Sequence, residues 1–171
     1  PYLSNTLHDG QAANLPWMQE LPDPMTSVVY GSWIELNPVT ATQLGLAEGD
    51  VVEVESPQGR ITAPVYVYPA IMPDVVAMPI GQGHTEYGRY AKDRGANPIQ
   101  ILSPQTEPVT GGLAWSATRV KLIPTGRRVD LLKTGGVSRD LGREIVQTTG
   151  SEVNADETAG LNSIPITVVP T

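Results

Sequence analysis

Pro79-Ile-Gly-Gln-Gly-His84, running on to Arg94-Gly-Ala-Asn-Pro98, marks an abrupt change in a chain that until then reads as short strands. Upstream lie Val51-Val-Glu-Val54, Ile61 to Tyr68 and Val75-Val-Ala-Met78, all apolar or alternating runs of strand length. Residues 81–97 then carry glycines at 81, 83, 88 and 95, with His84, Glu86, Arg89, Lys92, Asp93, Arg94 and Asn97 among them. Ordering so many flexible residues is costly. A loop of this kind leaving a β core points to a polar ligand, or to the remnant of a site for one.

Outward from that loop, Ile61, Ala63, Val65 and Val67 alternate with Arg60, Thr62, Pro64, Tyr66 and Tyr68, the period of a half-buried antiparallel strand. Pro64 predicts an edge or a bulge there. Ser56-Pro-Gln-Gly59 has the residues of a type I turn. Ser32-Trp-Ile-Glu-Leu36 reads as a strand, and Asn37-Pro38 as an N-cap and first helical residue. The helix from Pro38 to Leu44 stops at Gly45. Residues 1–27 read as extended coil, because the prolines at 16, 22 and 24 exclude a regular helix and a central strand. Trp17, Met18 and Leu21 are the candidates to anchor this arm to the body, or to bind a partner. Downstream, Ile99 to Leu102 and Ala117 to Ile123 read as strands. Short strands separated by turns favour a closed barrel over a helix-layered sheet.

The expected organisation is an arm over 1–29, a barrel over 30–125 and an appendage over 126–171. Within the appendage, Ser138 would cap a weak helix from Arg139 to Thr148, residues 150–163 are linker-like, and Ile164 to Pro170 is extended. The start at Pro1 suggests a fragment or processed piece.

Composition agrees and excludes. With 17 Gly and 16 Pro in 171 residues the chain is not a helical bundle. Phe is absent, so three Trp, six Tyr and the aliphatic residues are expected to fill the interior. A net charge of −7 argues against nucleic acid or an anionic membrane as a broad partner. No apolar run is long enough to span a bilayer. The lack of Cys removes disulfides, thiolate zinc and any iron–sulfur cluster held by this segment.

Acid–base chemistry is thin. His8 and His84 are the only histidines, and no metal-ligand spacing occurs. Gly81-x-Gly83 lacks the third glycine of a dinucleotide fingerprint, and Gly112 to Ser116 is not a nucleophile elbow. His84 reads either as a hydrogen-bonding loop residue or as a ligand contact. Arg89, Lys92 and Arg94 are either solvated or a clamp for phosphate or carboxylate. Asn97 is forced extended by Pro98 and either caps a turn or reads a purine or pterin edge.

Taken in order, Thr40-Ala-x-x-Leu-Gly-Leu46, Glu48-Gly-Asp-Val-Val-x-Val54, Ser56-Pro-x-Gly59, Pro64-Val65, Pro73-Asp-Val-Val76 and Gly81-x-Gly83 through Gly95-x-Asn97 resemble the C-terminal dinucleotide-binding domain of molybdopterin oxidoreductases. The resemblance covers about residues 30–123. It implies a mainly β, double-psi β-barrel of the aspartate-decarboxylase-like type, with short helices. It also implies a role in capping a bis(molybdopterin guanine dinucleotide) cofactor, with contacts at Gly81, Gln82, Gly83, His84, Arg89 and Asn97. Catalytic residues and the metal ligand would lie in other domains.

A narrower set, Asn14 to Pro24, Gly81-Gln-Gly-His84 with Tyr87-Gly-Arg-Tyr-Ala91, and Thr110-Gly-Gly-Leu-Ala-Trp115, resembles the large iron–sulfur subunits of quinone-linked respiratory complexes such as alternative complex III. This implies other domains and subunits of a bacterial membrane complex as partners, a peripheral place on its periplasmic side, and iron–sulfur clusters elsewhere in the parent protein. It also implies that the molybdenum cofactor can be absent while the fold is retained. The fold's self-processing decarboxylase use needs a Gly-Ser site in a barrel turn, and Gly31-Ser32 and Gly150-Ser151 are not so placed.

Overall fold

The computed structural model describes residues 1–134. Its elements are α1 (Pro16–Glu20), β1 (Ile34–Leu36), α2 (Pro38–Gln43), β2 (Asp50–Ser56), β3 (Gly59–Val67), β4 (Val76–Ala77), a 3₁₀ turn (Pro98–Ile101) and β5 (Lys121–Arg128). The strands form one mixed sheet in the order β4-β1-β3-β2-β5. β1 runs parallel to β3, with Ile34 opposite Val65 and Leu36 opposite Val67. Every other ladder is antiparallel. This is the mainly β architecture with short helices that the motifs imply.

Local chemistry explains the elements. Asn37 accepts the Val39 N–H at 2.9 Å and Pro38 supplies the first helical φ, so α2 starts there. It ends at Gly45, whose φ is +66°, while the Leu46 N–H returns to the Ala41 carbonyl at 2.8 Å. The β2–β3 hairpin closes from Ser56 to Gly59 across Pro57 and Gln58. The core lies on one face of these elements: Ile34, Leu36, Val52 and Val65 are fully buried, with Ile61, Ala63, Met78 and Ile101 around them.

Several expectations are corrected. β3 is central, between β1 and β2, not an edge. Its Pro64 lies opposite Val51 and just before Val65, the first residue paired with β1, so the missing N–H falls outside the parallel ladder. The three prolines do not forbid a helix in the arm: Pro16 occupies the first position of α1, where its N–H is not needed, and Pro22 follows the turn. Ile99 to Leu102 is not a strand. The Asn97 side chain accepts the Ile99 N–H at 3.0 Å and Pro98 opens a 3₁₀ turn instead. The last strand begins at Lys121 and continues past residue 125 to Arg128, paired with β2 over Lys121 to Pro124 and again at Arg128 after a register shift.

The aromatic residues do not fill the interior either. Among the tryptophans only Trp33 is buried, and the core is aliphatic. Trp17 and Leu21 face outward, while Leu7, Ala12, Ala13, Val28 and Val29 anchor the arm. The Arg139–Thr148 helix, the 150–163 linker and the Ile164–Pro170 segment lie outside the described residues.

Candidate functional site

β4 leads into the loop through Met78, Pro79 and Ile80, all buried. Tyr2 pairs beside them, donating to the Met78 carbonyl at 3.0 Å and accepting from Ile80 N at 2.9 Å. The loop is pinched at its base: Gly83 N donates to the Arg94 carbonyl at 2.7 Å and Asp93 N to that of His84 at 2.8 Å. Residues 84–93 therefore project as one excursion. Asp93 and Tyr87 lie there at positive φ, +58° and +85°; Asp enters this region readily, whereas a bulky residue such as Tyr rarely does unless its surroundings fix it. Tyr87 stacks on His84 at 5.2 Å, and its hydroxyl donates to the Gln11 carbonyl at 2.9 Å.

Five of the six residues expected at a ligand turn toward protein. A Cβ on Gly81 would lie 2.9 Å from that of Leu7, so this glycine lets the arm approach. Gln82 is 6% exposed and forms a reciprocal amide pair with Gln19. A Cβ on Gly83 would strike the backbone nitrogen of Asn97. His84 lies against Gly10, and its Nε2 is buried without a hydrogen-bond partner. Asn97 spends its side-chain oxygen on capping Ile99. Arg89 stands apart, exposed, with its guanidinium 5.7 Å from the Tyr90 ring centroid. Gly81 to His84 and Asn97 are thus brought together; Arg89 is not.

Sequence reasoning missed the other half of this seam. Gln19 also donates to the Ala13 carbonyl at 2.7 Å, Asn14 accepts from Tyr90 N at 3.0 Å, and Ser32 bonds both the N–H and the carbonyl of Ala96. A neutral amide, Gln19, directly after Trp17 and Met18 in a proline-rich stretch was the available signal. Replacing Gln82 with Ala should lower stability by about 1.5 kcal/mol, since the Gln19 amide is left buried without its partner. Urea denaturation of Gln82→Ala beside Gln19→Ala checks this, and the double variant should lose less than the sum.

The charges of the excursion are partly paired. Lys92 bridges Glu86 at 3.1 Å, whereas Arg89 and Arg94 have no carboxylate within ion-pair distance among the described residues. A sizeable cavity lies elsewhere. A cleft of about 1160 Å³ runs between Ile34, Val54, Ile61 and Met78 on the sheet and the 110–120 segment, and it includes none of the six residues. No cluster of three metal-ligating side chains occurs among the described residues.

The profile of the Molydopterin dinucleotide binding domain family matches residues 12–118. The chain is 41% identical over 90 residues to the molybdopterin-binding-like subunit of menaquinone reductase from Nitratidesulfovibrio vulgaris, covering 53% of this chain and 13% of that protein. It is 30% identical over 114 residues to the molybdopterin-containing subunit ArrA of arsenate respiratory reductase from Shewanella sp., covering 63% of this chain and 13% of that one. The chain therefore spans only a small part of these relatives' length. Acetylene hydratase from Pelobacter acetylenicus superposes with a TM-score of 0.46 at 22% identity, over 54% of this chain and 14% of its own. The match takes in the arm from residue 12, the loop and strands β1 to β4: the chain belongs to the molydopterin dinucleotide binding domain family.

Proposed function

We propose that this chain is the dinucleotide-binding-type domain of a larger molybdopterin-family oxidoreductase subunit in respiratory electron transfer, and that it caps that subunit rather than catalyses. The other domains of the subunit and other subunits of a bacterial membrane complex are its partners, with the domain peripheral and on the periplasmic side. No described helix is long and apolar enough to cross a membrane. Iron–sulfur clusters, which need ligands this chain lacks, belong to other parts of the parent protein.

A molybdopterin guanine dinucleotide fits the inner face of the loop poorly. Gly81 and Gly83 admit protein backbone and side chain, Gln82 is paired with Gln19, and Asn97 is engaged as a cap. One observation, the Gln19–Gln82 amide pair buried at the arm–loop seam, carries the reading we favour: a structural and interaction domain whose loop is closed by the chain's own arm. The second reading, a live cofactor site, is favoured by the buried unpartnered Nε2 of His84 and by the guanidinium of Arg89, which no carboxylate pairs among the described residues.

Metal and pterin analysis of the full-length protein separates the two. The expected result is molybdenum and tungsten far below stoichiometric, and pterin content unchanged by Arg89→Ala. Stoichiometric metal, with pterin reduced in that variant, overturns the favoured reading and puts the cofactor against Arg89.

A further inference from the structure

We propose that residues 11–19 form an autoinhibitory strap, hinged at both ends, which opens locally to bare Gln82 and the Nε2 of His84 while the sheet stays folded. This rests on the reading that the arm closes the loop, and adds that the closure is reversible.

The two ends of the strap are fixed by apolar burial and backbone pairing. Upstream, Leu7 is buried and Tyr2 pairs with Pro79. Downstream, Val28 and Val29 are buried, and the Val29 N–H donates to the Leu132 carbonyl at 2.9 Å. Between these anchors the character changes. From Gln11 to Glu20 the buried residues are Ala12, Ala13 and Gln19 alone, while Leu15 and Trp17 are exposed. Lifting this segment therefore returns little apolar surface to water. That is the condition for opening well below the free energy of global unfolding.

What holds the strap down is polar. The Gln11 carbonyl accepts from the Tyr87 hydroxyl at 2.9 Å, and Asn14 Oδ1 accepts from the Tyr90 N–H at 3.0 Å. Both bonds are exposed, so water replaces them at small net cost. Gln19 is the buried member and the latch. Its side chain donates to Gln82 Oε1 at 3.3 Å and accepts from Gln82 Nε2 at 2.6 Å, and its carbonyl accepts from the Tyr30 N–H at 3.2 Å.

Backbone at positive φ flanks the strap on both sides, +55° at His8 and +112° at Gly10 before it, +59° at Ser27 and +52° at Tyr30 after it. A few such residues between fixed elements are where hinge motions are absorbed. The closed state also leaves one group unsatisfied. Gly10 lies so close to the His84 ring that an added Cβ would be 2.8 Å from Nε2, and that nitrogen is buried with no hydrogen-bond partner among the described residues. Buried polar atoms are nearly always paired. An orphan beneath a strap held by polar bonds marks a face that is satisfied when the strap is off it.

Hydrogen–deuterium exchange of the full-length protein, read residue by residue in a urea series below the unfolding transition, tests this. The strap amides and the Tyr30 amide that bonds to Gln19 should exchange about a hundredfold slower than in the unfolded chain, with almost no dependence on urea. The amides of β2 and β3 should be slower again and should accelerate with urea. Ile61→Val thins the core and should speed the sheet amides about fivefold, leaving the strap amides unchanged. Gln19→Ala should speed the strap amides about tenfold. Strap and sheet exchanging at one rate with one urea slope overturn the strap, as does an Ile61→Val variant that speeds both alike. Unprotected strap amides overturn the closed state, and a Gln19→Ala variant without effect overturns the latch. Molybdenum and pterin content of the same preparation judges the functional reading independently of any exchange rate.

Discussion

Gly83→Ala should destabilise the domain by about 4 kcal/mol, whereas Gly45→Ala should lose only about 1 kcal/mol. Both glycines sit at positive φ, +84° and +66°, so each substitution forces an L-residue into the left-handed region. The difference is steric. At Gly45 an added methyl meets nothing within 4 Å, and the loss is conformational alone. At Gly83 it runs into the Asn97 nitrogen and lies 2.5 Å from the Ala96 carbonyl carbon, and backbone cannot rotate aside as a side-chain tip does. Relief requires moving residues 94–97, which breaks the Gly83–Arg94 bond and the paired bonds of Ser32 to Ala96. Urea denaturation of the two variants side by side is the measurement. Equal losses would mean that the seam yields and that the loop is not fixed by these contacts.

The sheet was legible where each residue's neighbours in sequence decide its state. The alternation from Ile61 to Val67, the Asn37-Pro38 start and the Gly45 stop all act within a few residues, and each survives in the structure. Sequence also singled out the 81–97 loop, because four glycines and seven charged or amide side chains there form a composition break. What could not be read was tertiary. Pro64 looks like an edge residue until its place relative to the β1 ladder is known. Asn97-Pro98 was read with a strand behind it, but its capping oxygen turns the chain into a 3₁₀ turn.

The site divides in the same way. Gly81, Gln82, Gly83, His84 and Asn97 are grouped, and the arm packs against Gly81, Gln82 and His84. That depends on Gln19 meeting Gln82 across 63 residues, a pairing that no local spacing announces. The arm itself was misjudged for one reason: large apolar residues were expected to be anchors. Its buried apolar residues are instead small or aliphatic, such as Ala12, Ala13 and Val28, and its largest, Trp17, points outward.

The second large effect lies under the arm. Glu35→Leu should cost about 3 kcal/mol, because it leaves the buried Trp33 donor and the half-buried Tyr2 hydroxyl without their acceptor. Glu35 is 5% exposed on β1. Its Oε1 accepts from the Tyr2 hydroxyl at 2.5 Å and from Trp33 Nε1 at 3.1 Å. Leu matches the volume but accepts nothing, whereas Glu35→Gln keeps an acceptor and should lose about 1 kcal/mol. The same bond makes stability depend on pH. Burial pushes the Tyr2 phenol well above the ordinary tyrosine range, and the hydrogen bond to Glu35 and that carboxylate's charge push it further. The folded state therefore holds this proton more tightly than the unfolded chain does. Its contribution is complete below about pH 10 and is lost as pH rises beyond it. Tyr2→Phe removes the titrating group. It should cost about 1 kcal/mol near neutrality and flatten the alkaline fall relative to the unaltered protein. If the variant fell as steeply above pH 10, the proton would belong to another group, and Glu35 would be holding Tyr2 by geometry alone.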